Sequence, residues 1–227
     1  KKLLNKIKKN KFRTPTFIEC NLLDINKLEK IIKQIISTKG PITLSITAFG
    51  HVPKNTAILR SGASAGEEIY VTGSIGGGYL GLRYLQDNLI QVNGQLSSLF
   101  VQMYRKPVPR VGLGIALRGL ATSATDISDG LISDMEKLIN NQKLFFEINI
   151  NKIPISKKLN DYLQKNDKDK KDFVFSGDDY QILFTSSKKN RRIIKSISKQ
   201  TNQKVTIIGN INNNLKKNML IQDNKSL

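Results

Sequence analysis

From residue 40 onward the chain alternates strand-like and helix-like segments, which restricts the folds that it can adopt. Residues 42–48 alternate apolar and hydroxyl-bearing or other polar side chains, the period of a half-buried strand. Elsewhere, apolar residues recur at helical spacing. The patterns predict strands at residues 42–48, 68–72, 144–150, 180–185 and 205–208, and helices at 80–85, 111–120, 129–140 and 190–199. An α/β or α+β protein is therefore expected.

The first 36 residues have a different composition. Seven of the first 13 residues are basic and none is acidic, and apolar residues at 24–36 have helical spacing. We interpret residues 1–36 as a basic helical leader, which is either solvated or binds a membrane surface or a partner. Because the sequence starts at Lys1 rather than at a methionine, a fragment or a processed product is expected.

Composition limits the available chemistry and the partners. Cys20 is the single cysteine and His51 the single histidine, which excludes an internal disulfide, a multi-cysteine zinc site and a histidine cluster. The formal charge is +19, yet the sequence has no nucleic-acid recognition module, so compositional bias is the better interpretation. No apolar run of 18 residues and no secretory signal are found, so a cytoplasmic protein is expected.

Against this basic background, carboxylates are concentrated in two glycine-containing segments, residues 124–132 and 176–181. In the first segment, Asp126, Ser128 and Asp129 precede a predicted helix. Ser128 is a good helix cap, but capping does not explain two carboxylates. Mg²⁺ is typically held by one or two carboxylates together with substrate phosphates. Spacing alone leaves capping and metal binding open.

A glycine run at residues 76–81 (GGGYLG) matches the dinucleotide-binding pattern G-x-G-x-x-G. That pattern also requires an acidic residue after a second strand, about 20 residues later, and the sequence lacks it. Tight packing of a helix on a strand is therefore expected, with phosphate contact through backbone N–H groups as the alternative.

Five motifs in order resemble thiamine-monophosphate kinases, of the aminoimidazole ribonucleotide synthetase and selenophosphate synthetase superfamily. They are residues 59–63 (LRSGA), 66–73 (GEEIYVTG), 107–110 (PVPR), 125–131 (TDISDGL) and 176–180 (SGDDY). The resemblance implies a two-lobed aminoimidazole ribonucleotide synthetase-like fold of the α/β (α+β) class with an incomplete N-terminal lobe. Residues 37–110 would be a partial N-terminal ATP-binding lobe, and residues 111–227 a C-terminal α/β lobe.

The resemblance also implies ATP- and Mg²⁺-dependent phosphorylation of thiamine monophosphate to thiamine diphosphate. It assigns Mg²⁺ to Asp126 and Asp129, ATP to Arg60 and Ser128, and thiamine monophosphate to Asp178. Catalysis is assigned to Asp126, Asp129 and Arg60. Taken without the resemblance, Arg60 would be a surface ion pair and Asp178 an ordinary turn residue.

The implied reaction needs no general base. The acceptor is a phosphate monoester whose second pKa is about 6, so it is mostly dianionic at neutral pH. Direct in-line transfer then depends on alignment and on charge neutralisation by Mg²⁺, Arg60 and either Lys106 or Arg110. The two acidic segments are expected on opposite sides of the cleft.

One departure from the family keeps alternatives open. Residues 34–39 (QIISTK) stand where the family has an acidic Mg²⁺-binding run. The chain is therefore interpreted as a kinase that needs this segment, with an inactive remnant or another ATP-dependent superfamily member as the alternatives. A homodimer is expected if the N-terminal lobe is complete.

Overall fold

The structure is a computed structural model that describes residues 24–40, 50–86, 94–140, 142–223 and 225–226. Residues 1–51 and 52–227 form two compact units, and each is described by itself. In the first unit, helix α1 (Ile25–Lys39) begins after Asp24, whose side chain accepts a hydrogen bond from the Lys27 amide. The helix predicted at residues 24–36 is confirmed, whereas the rest of the leader and the strand at 42–48 lie outside the described residues.

The second unit is built on a seven-stranded sheet with the order β2-β4-β1-β5-β3-β6-β7. All neighbouring strands are antiparallel except β3 and β6, which are parallel. The strands are β1 (Glu68–Thr72), β2 (Ala121–Asp126), β3 (Phe145–Asn149), β4 (Ile182–Ser186), β5 (Val205–Asn212), β6 (Met219–Gln222) and β7 (Lys225–Ser226).

The helices of the second unit pack on the sheet or against one another. They are α2 (Gly77–Gln86), α3 (Gly94–Arg105), α4 (Val111–Ala116), α5 (Leu131–Ile139), α6 (Lys157–Lys165), α7 (Lys170–Val174) and α8 (Arg191–Gln200). Within the described part of the chain, none of the helices is long and apolar enough to cross a membrane.

The central strand β1 is buried along its whole length because both of its faces meet hydrophobic clusters. Ile69 packs in the larger cluster with Leu131 of α5. Tyr70 points to the other face, in a cluster with Leu113 of α4 and Ile194 of α8. The sheet therefore lies between layers of helices, and the predicted α/β (α+β) class is confirmed.

Strand β1 also corrects the predicted domain boundary. It precedes residue 110, yet it pairs with β4 and β5, which follow residue 110. Residues 52–227 accordingly form one unit, so residue 110 does not divide two lobes. The assignment of ATP binding to residues 37–110 stays a prediction.

Two element predictions differ from the structure near the acidic segments. The helix predicted at 111–120 ends at Ala116, and residues Ala121–Asp126 form β2. This strand (ATSATD) was missed because its small and hydroxyl side chains show no apolar alternation. The strand predicted from residue 180 begins at Ile182, since Asp178 and Tyr180 have positive φ angles of 66° and 49°.

Candidate active site

The two acidic segments form adjacent turns at one end of the sheet. The first turn, residues 126–130, joins β2 to α5, and the second turn, residues 176–181, leads into β4. The Ile127 amide donates to the Gln181 carbonyl at 2.9 Å, and the Tyr180 amide donates to the Ile127 carbonyl at 2.8 Å. The Asp178 amide donates to the Ser128 carbonyl at 3.0 Å. The turns therefore touch through their backbones, and the expectation that they face each other across a cleft is wrong.

Glycine makes this close contact possible. A Cβ atom on Gly177 would lie 2.0 Å from the Ser128 carbonyl oxygen, and one on Gly130 would lie 2.2 Å from the Phe175 carbonyl oxygen. Gly130 also has a φ angle of 118°, which side-chain-bearing residues rarely adopt. Both turns therefore require glycine at these positions to keep the two acidic segments together.

A buried carboxylate, Asp134, fixes the shape of the first turn. Its Oδ2 atom accepts hydrogen bonds from the amides of Ser128 at 2.9 Å and Asp129 at 3.0 Å. Gly130 is the N-cap of α5 and makes no side-chain capping bond, so Ser128 is not the helix cap. Sequence reasoning missed Asp134, although a carboxylate in the first turn of a helix was a usable signal.

Asp129 points outward and is surrounded by positive charge. It forms an ion pair with Lys137, which also contacts Asp134 Oδ1 at 2.9 Å. The hydrogen bond and charge of Lys137 hold the pKa of Asp129 below its usual value, and the charge of Arg60 acts in the same direction. Arg60 is itself exposed, and its assignment to ATP stays a prediction.

Tyr180 lies close to one carboxylate of each turn. Its ring is 42% exposed. Partial burial raises the pKa of the Tyr180 hydroxyl, and the nearby charges of Asp178 and Asp126 raise it further. These influences place Asp126, Asp178 and Tyr180 in one neighbourhood. Asp126, Ser128, Asp129 and Asp178 thus lie in two adjoining turns at one end of the sheet, whereas Arg60 lies outside these turns, in the segment before β1.

The second turn contains a buried carboxylate of its own, Asp179. Its oxygens accept hydrogen bonds from the amides of Gly76 at 2.7 Å and Gly78 at 3.1 Å, at the N-terminus of α2. Burial raises the pKa of Asp179 to about 7, although these hydrogen bonds favour the charged form. The backbone N–H groups that were the alternative phosphate ligands already bind Asp179.

The glycines at residues 76–81 allow close packing of α2, but its neighbours there are not the strand that the sequence predicted. A Cβ atom on Gly81 would lie 2.0 Å from the Phe100 carbonyl oxygen of α3. One on Gly78 would lie 2.0 Å from the Asp178 carbonyl oxygen. The glycines therefore bring α2 against α3 and the second turn, and the predicted helix–strand packing is wrong at these two glycines.

A cavity of about 190 Å³ opens beside Asp179. Lys106 and Arg110 bring positive charge to its wall. Arg110 Nε donates to Gln181 Oε1 at 3.1 Å, and the Thr72 hydroxyl donates to the same oxygen at 2.8 Å. Arg110 is therefore anchored to Gln181, the last residue of the second turn.

The donor atoms of the first turn fit a magnesium ion bound together with a phosphate ligand. Asp126 and Asp129 are both exposed and supply carboxylate oxygens, which Mg²⁺ prefers, and it usually takes one or two of them plus water and phosphate oxygens. Over the described ranges, His, Cys, Asp and Glu form no group of three or more that could hold a metal ion. Asp126 and Asp129 therefore have the chemistry of partial Mg²⁺ ligands, and their assignment to Mg²⁺ stays a prediction.

The chain is similar in sequence to known proteins. Residues 64–220 match the family described as AIR synthase related protein, C-terminal domain. Over 191 residues the chain is 38% identical to the thiamine-monophosphate kinase of Buchnera aphidicola subsp. Schizaphis graminum (strain Sg), covering 84% of this chain and 59% of that relative.

Two solved structures are similar in fold. The thiamine-monophosphate kinase from Stenotrophomonas maltophilia K279a has a TM-score of 0.67 and 27% identity, and 78% of this chain aligns with 56% of that one. AaThiL complexed with AMPPCP and TMP has a TM-score of 0.63 and 26% identity, with coverage of 75% and 52%. These matches confirm the predicted aminoimidazole ribonucleotide synthetase-like fold.

The chain spans little more than half the length of these relatives. The family match nevertheless covers well over half of the chain and includes both acidic turns. From this match, the chain belongs to the AIR synthase related protein family, and residues 64–220 are its C-terminal domain.

Proposed function

We propose that this chain is part of an ATP-dependent kinase that phosphorylates thiamine monophosphate to thiamine diphosphate. In this proposal Asp126 and Asp129 bind Mg²⁺, Arg60 and Ser128 contact ATP, and Asp178 holds thiamine monophosphate. A cytoplasmic location and a homodimer stay predictions.

The observation that carries the proposal is the direct contact between the two acidic turns. The Asp178 amide bonds to the Ser128 carbonyl at 3.0 Å, so a ligand on one turn lies next to a ligand on the other. The relative AaThiL has been solved with AMPPCP and TMP, a pairing that matches two adjacent ligand sites. Adjacent sites are what a transfer between two phosphate-bearing substrates requires.

The residues at the turns supply charge and positioning. Arg60 lies near Asp129, where its guanidinium would neutralise phosphate oxygens. Lys106 and Arg110 line the adjoining cavity and extend the positive surface. A dianionic phosphate acceptor is already a nucleophile, so a site without a histidine or another general base is sufficient for in-line transfer.

Mg²⁺, when bound to Asp126 and Asp129, would neutralise developing charge on the transferred phosphoryl group. The chain's own contribution is to hold the two carboxylates at the end of β2. Asp134 does this for Asp129 by bonding the amides of the first turn.

Formation of thiamine diphosphate tests the proposal. The chain is assayed with ATP, MgCl₂ and thiamine monophosphate, alone and with the N-terminal segment of the Buchnera relative supplied in trans. We expect product only with the added segment, because residues 34–39 lack the acidic run that the family resemblance implies at this place. Product from the chain alone would show that the added ligands are not required.

A binding measurement separates the kinase from an inactive remnant. The chain should bind AMPPCP in the presence of MgCl₂, and Asp129→Asn should weaken this binding. If the chain binds nucleotide but never forms product, even with the added segment, the inactive remnant is favoured. Nucleotide binding that is unchanged in Asp129→Asn would overturn the metal assignment.

A further inference from the structure

The side chain of Lys137 already places a positive charge at the first turn. The ammonium group of Lys137, on α5, bridges the exposed carboxylate of Asp129 and the buried carboxylate of Asp134. The Asp134 side chain is 3% exposed, whereas that of Asp129 is 65% exposed. Lys137 therefore has one fixed partner and one exposed partner.

Asp134 is the fixed partner because its other oxygen is committed to the backbone. Oδ2 accepts both amide bonds of the first turn, and Oδ1 contacts the Lys137 ammonium at 2.9 Å. These contacts keep Lys137 at the turn even when its bond to Asp129 is broken. Lysine has three donors on a flexible stem, so it can release Asp129 and retain Asp134.

We propose that Lys137 is an internal counter-ion that occupies Asp129 until a divalent cation displaces it. This inference rests on the proposed role of Asp129 as a Mg²⁺ ligand. Lys137 is a positioning residue, since it acts through Asp129. Its ammonium neutralises Asp129 in the cation-free protein, and it opposes cation binding by competition and by charge repulsion.

Competition and charge repulsion both lower the affinity of the first turn for a divalent cation. A divalent cation at Asp129 must break the exposed ion pair with Lys137, and it then lies near an ammonium that Asp134 keeps in place. Exposed ion pairs contribute modestly, so removal of the ammonium should tighten cation binding by roughly two- to fivefold. Arginine keeps the charge and should preserve the competition.

Titration of MgCl₂ followed by NMR tests the inference without an activity assay. The reporters are the backbone amides of Ser128 and Asp129, which lie on the first turn itself. The proteins are wild type, Lys137→Met, Lys137→Arg and the control Lys143→Met. Lys143 is an exposed lysine that follows the C-terminus of α5, away from the first turn. Its substitution by methionine removes the same charge as Lys137→Met. Resonances outside α5 report whether each variant keeps the fold.

We expect Lys137→Met to bind Mg²⁺ more tightly than wild type, and Lys137→Arg and Lys143→Met to remain close to wild type. Raising NaCl should reduce the difference between wild type and Lys137→Met, because salt screens exposed charges. Equal Mg²⁺ affinity in wild type and Lys137→Met overturns the counter-ion role. Tighter binding in Lys143→Met by the same factor also overturns it, since net charge would then explain the effect.

The outcomes also separate this inference from the proposed function. Amides that do not respond to Mg²⁺ in any of the proteins contradict the assignment of Asp129 as a metal ligand, and the inference fails with it. If the amides respond equally in all four proteins, Asp129 remains a metal ligand and only the counter-ion role of Lys137 is rejected.

Discussion

Each of the two acidic turns is held by a buried carboxylate, but the two buried carboxylates bond to different parts of the protein. Beside the first turn, the buried group is Asp134 of α5, which accepts hydrogen bonds from the Ser128 and Asp129 amides of that turn. In the second, the buried group is Asp179, which is next to Asp178 and bonds away to the N-terminus of α2. One carboxylate shapes its own turn, and the other ties its turn to a distant helix.

This difference places neighbouring acidic residues in different environments. Asp178 and Asp179 are adjacent in sequence, yet Asp179 is 7% exposed and bonded to the backbone of α2, whereas Asp178 is only partly buried. Backbone donors hold the buried carboxylates in place, and the less buried carboxylates of the same turns are the ligands in our proposal. The following experiments test this separation in order of decreasing effect.

The largest effect is expected from Gly177→Ala. Its Cβ atom would lie 2.0 Å from the Ser128 carbonyl oxygen, so the turns must separate and the Asp178–Ser128 bond must break. We expect a loss of about 3 kcal/mol in the free energy of unfolding. Urea denaturation measures this loss. The control is Gly112→Ala in α4, where a Cβ atom meets nothing within 4 Å, and it should not destabilise.

Asp134→Ala should have the next largest effect. The amides of Ser128 and Asp129 lose their acceptor, and leaving such groups unsatisfied costs about 2 kcal/mol. Urea denaturation measures the cost, and Asp134→Asn should recover part of it because an amide oxygen still accepts. A fully stable Asp134→Ala protein would show that the first turn keeps its shape without this carboxylate.

Asp179 should make stability depend on pH. Its pKa is raised from 3.8 to about 7 in the folded protein, so the folded state retains a proton that the unfolded state has lost. Between these values, wild-type stability should fall relative to Asp179→Asn as pH rises, by at most about 1.4 kcal/mol per pH unit, and the fall should end above the higher value. Unfolding curves over pH 4 to 8 test this, and parallel profiles for the two proteins would contradict it.

Asp129→Asn should leave stability nearly unchanged. The side chain is exposed and its partner Lys137 retains Asp134. Thermal unfolding of this variant beside Asp134→Asn gives the comparison directly. Equal destabilisation by the two substitutions would mean that the exposed and buried carboxylates are not functionally separate.

The sequence predicted the features that local patterns encode. Alternating segments predicted the class of fold, whereas the assignment of Arg60, Asp126 and Asp129 to one site comes from the family motifs and stays a prediction. Local patterns cannot show which distant backbone groups a buried carboxylate will bond. Asp179 bonds to Gly76, more than 100 residues earlier, and only the folded sheet brings the two together.

Strand β2 illustrates a second limit. Its polar, small side chains gave no strand signal, yet backbone pairing with β4 defines it and places Asp126 at its end. The predicted boundary between lobes at residue 110 also failed because pairing between strands is not visible in local sequence. Prolines interrupt helices locally, but the neighbours of β1 in the sheet come from the last third of the chain.

The position of β1 in the sheet also determines when the protein can fold during its synthesis. Glu68 pairs with Ser186 on one side and with Asn210 on the other, so both neighbours emerge from the ribosome more than 100 residues later. At about 5–20 residues per second, β1 waits several seconds for them. Its apolar side chains are exposed during that interval, and the pairing is slow because it is so non-local. Until the last third of the chain has been synthesised, β1 therefore has neither of its neighbours in the sheet.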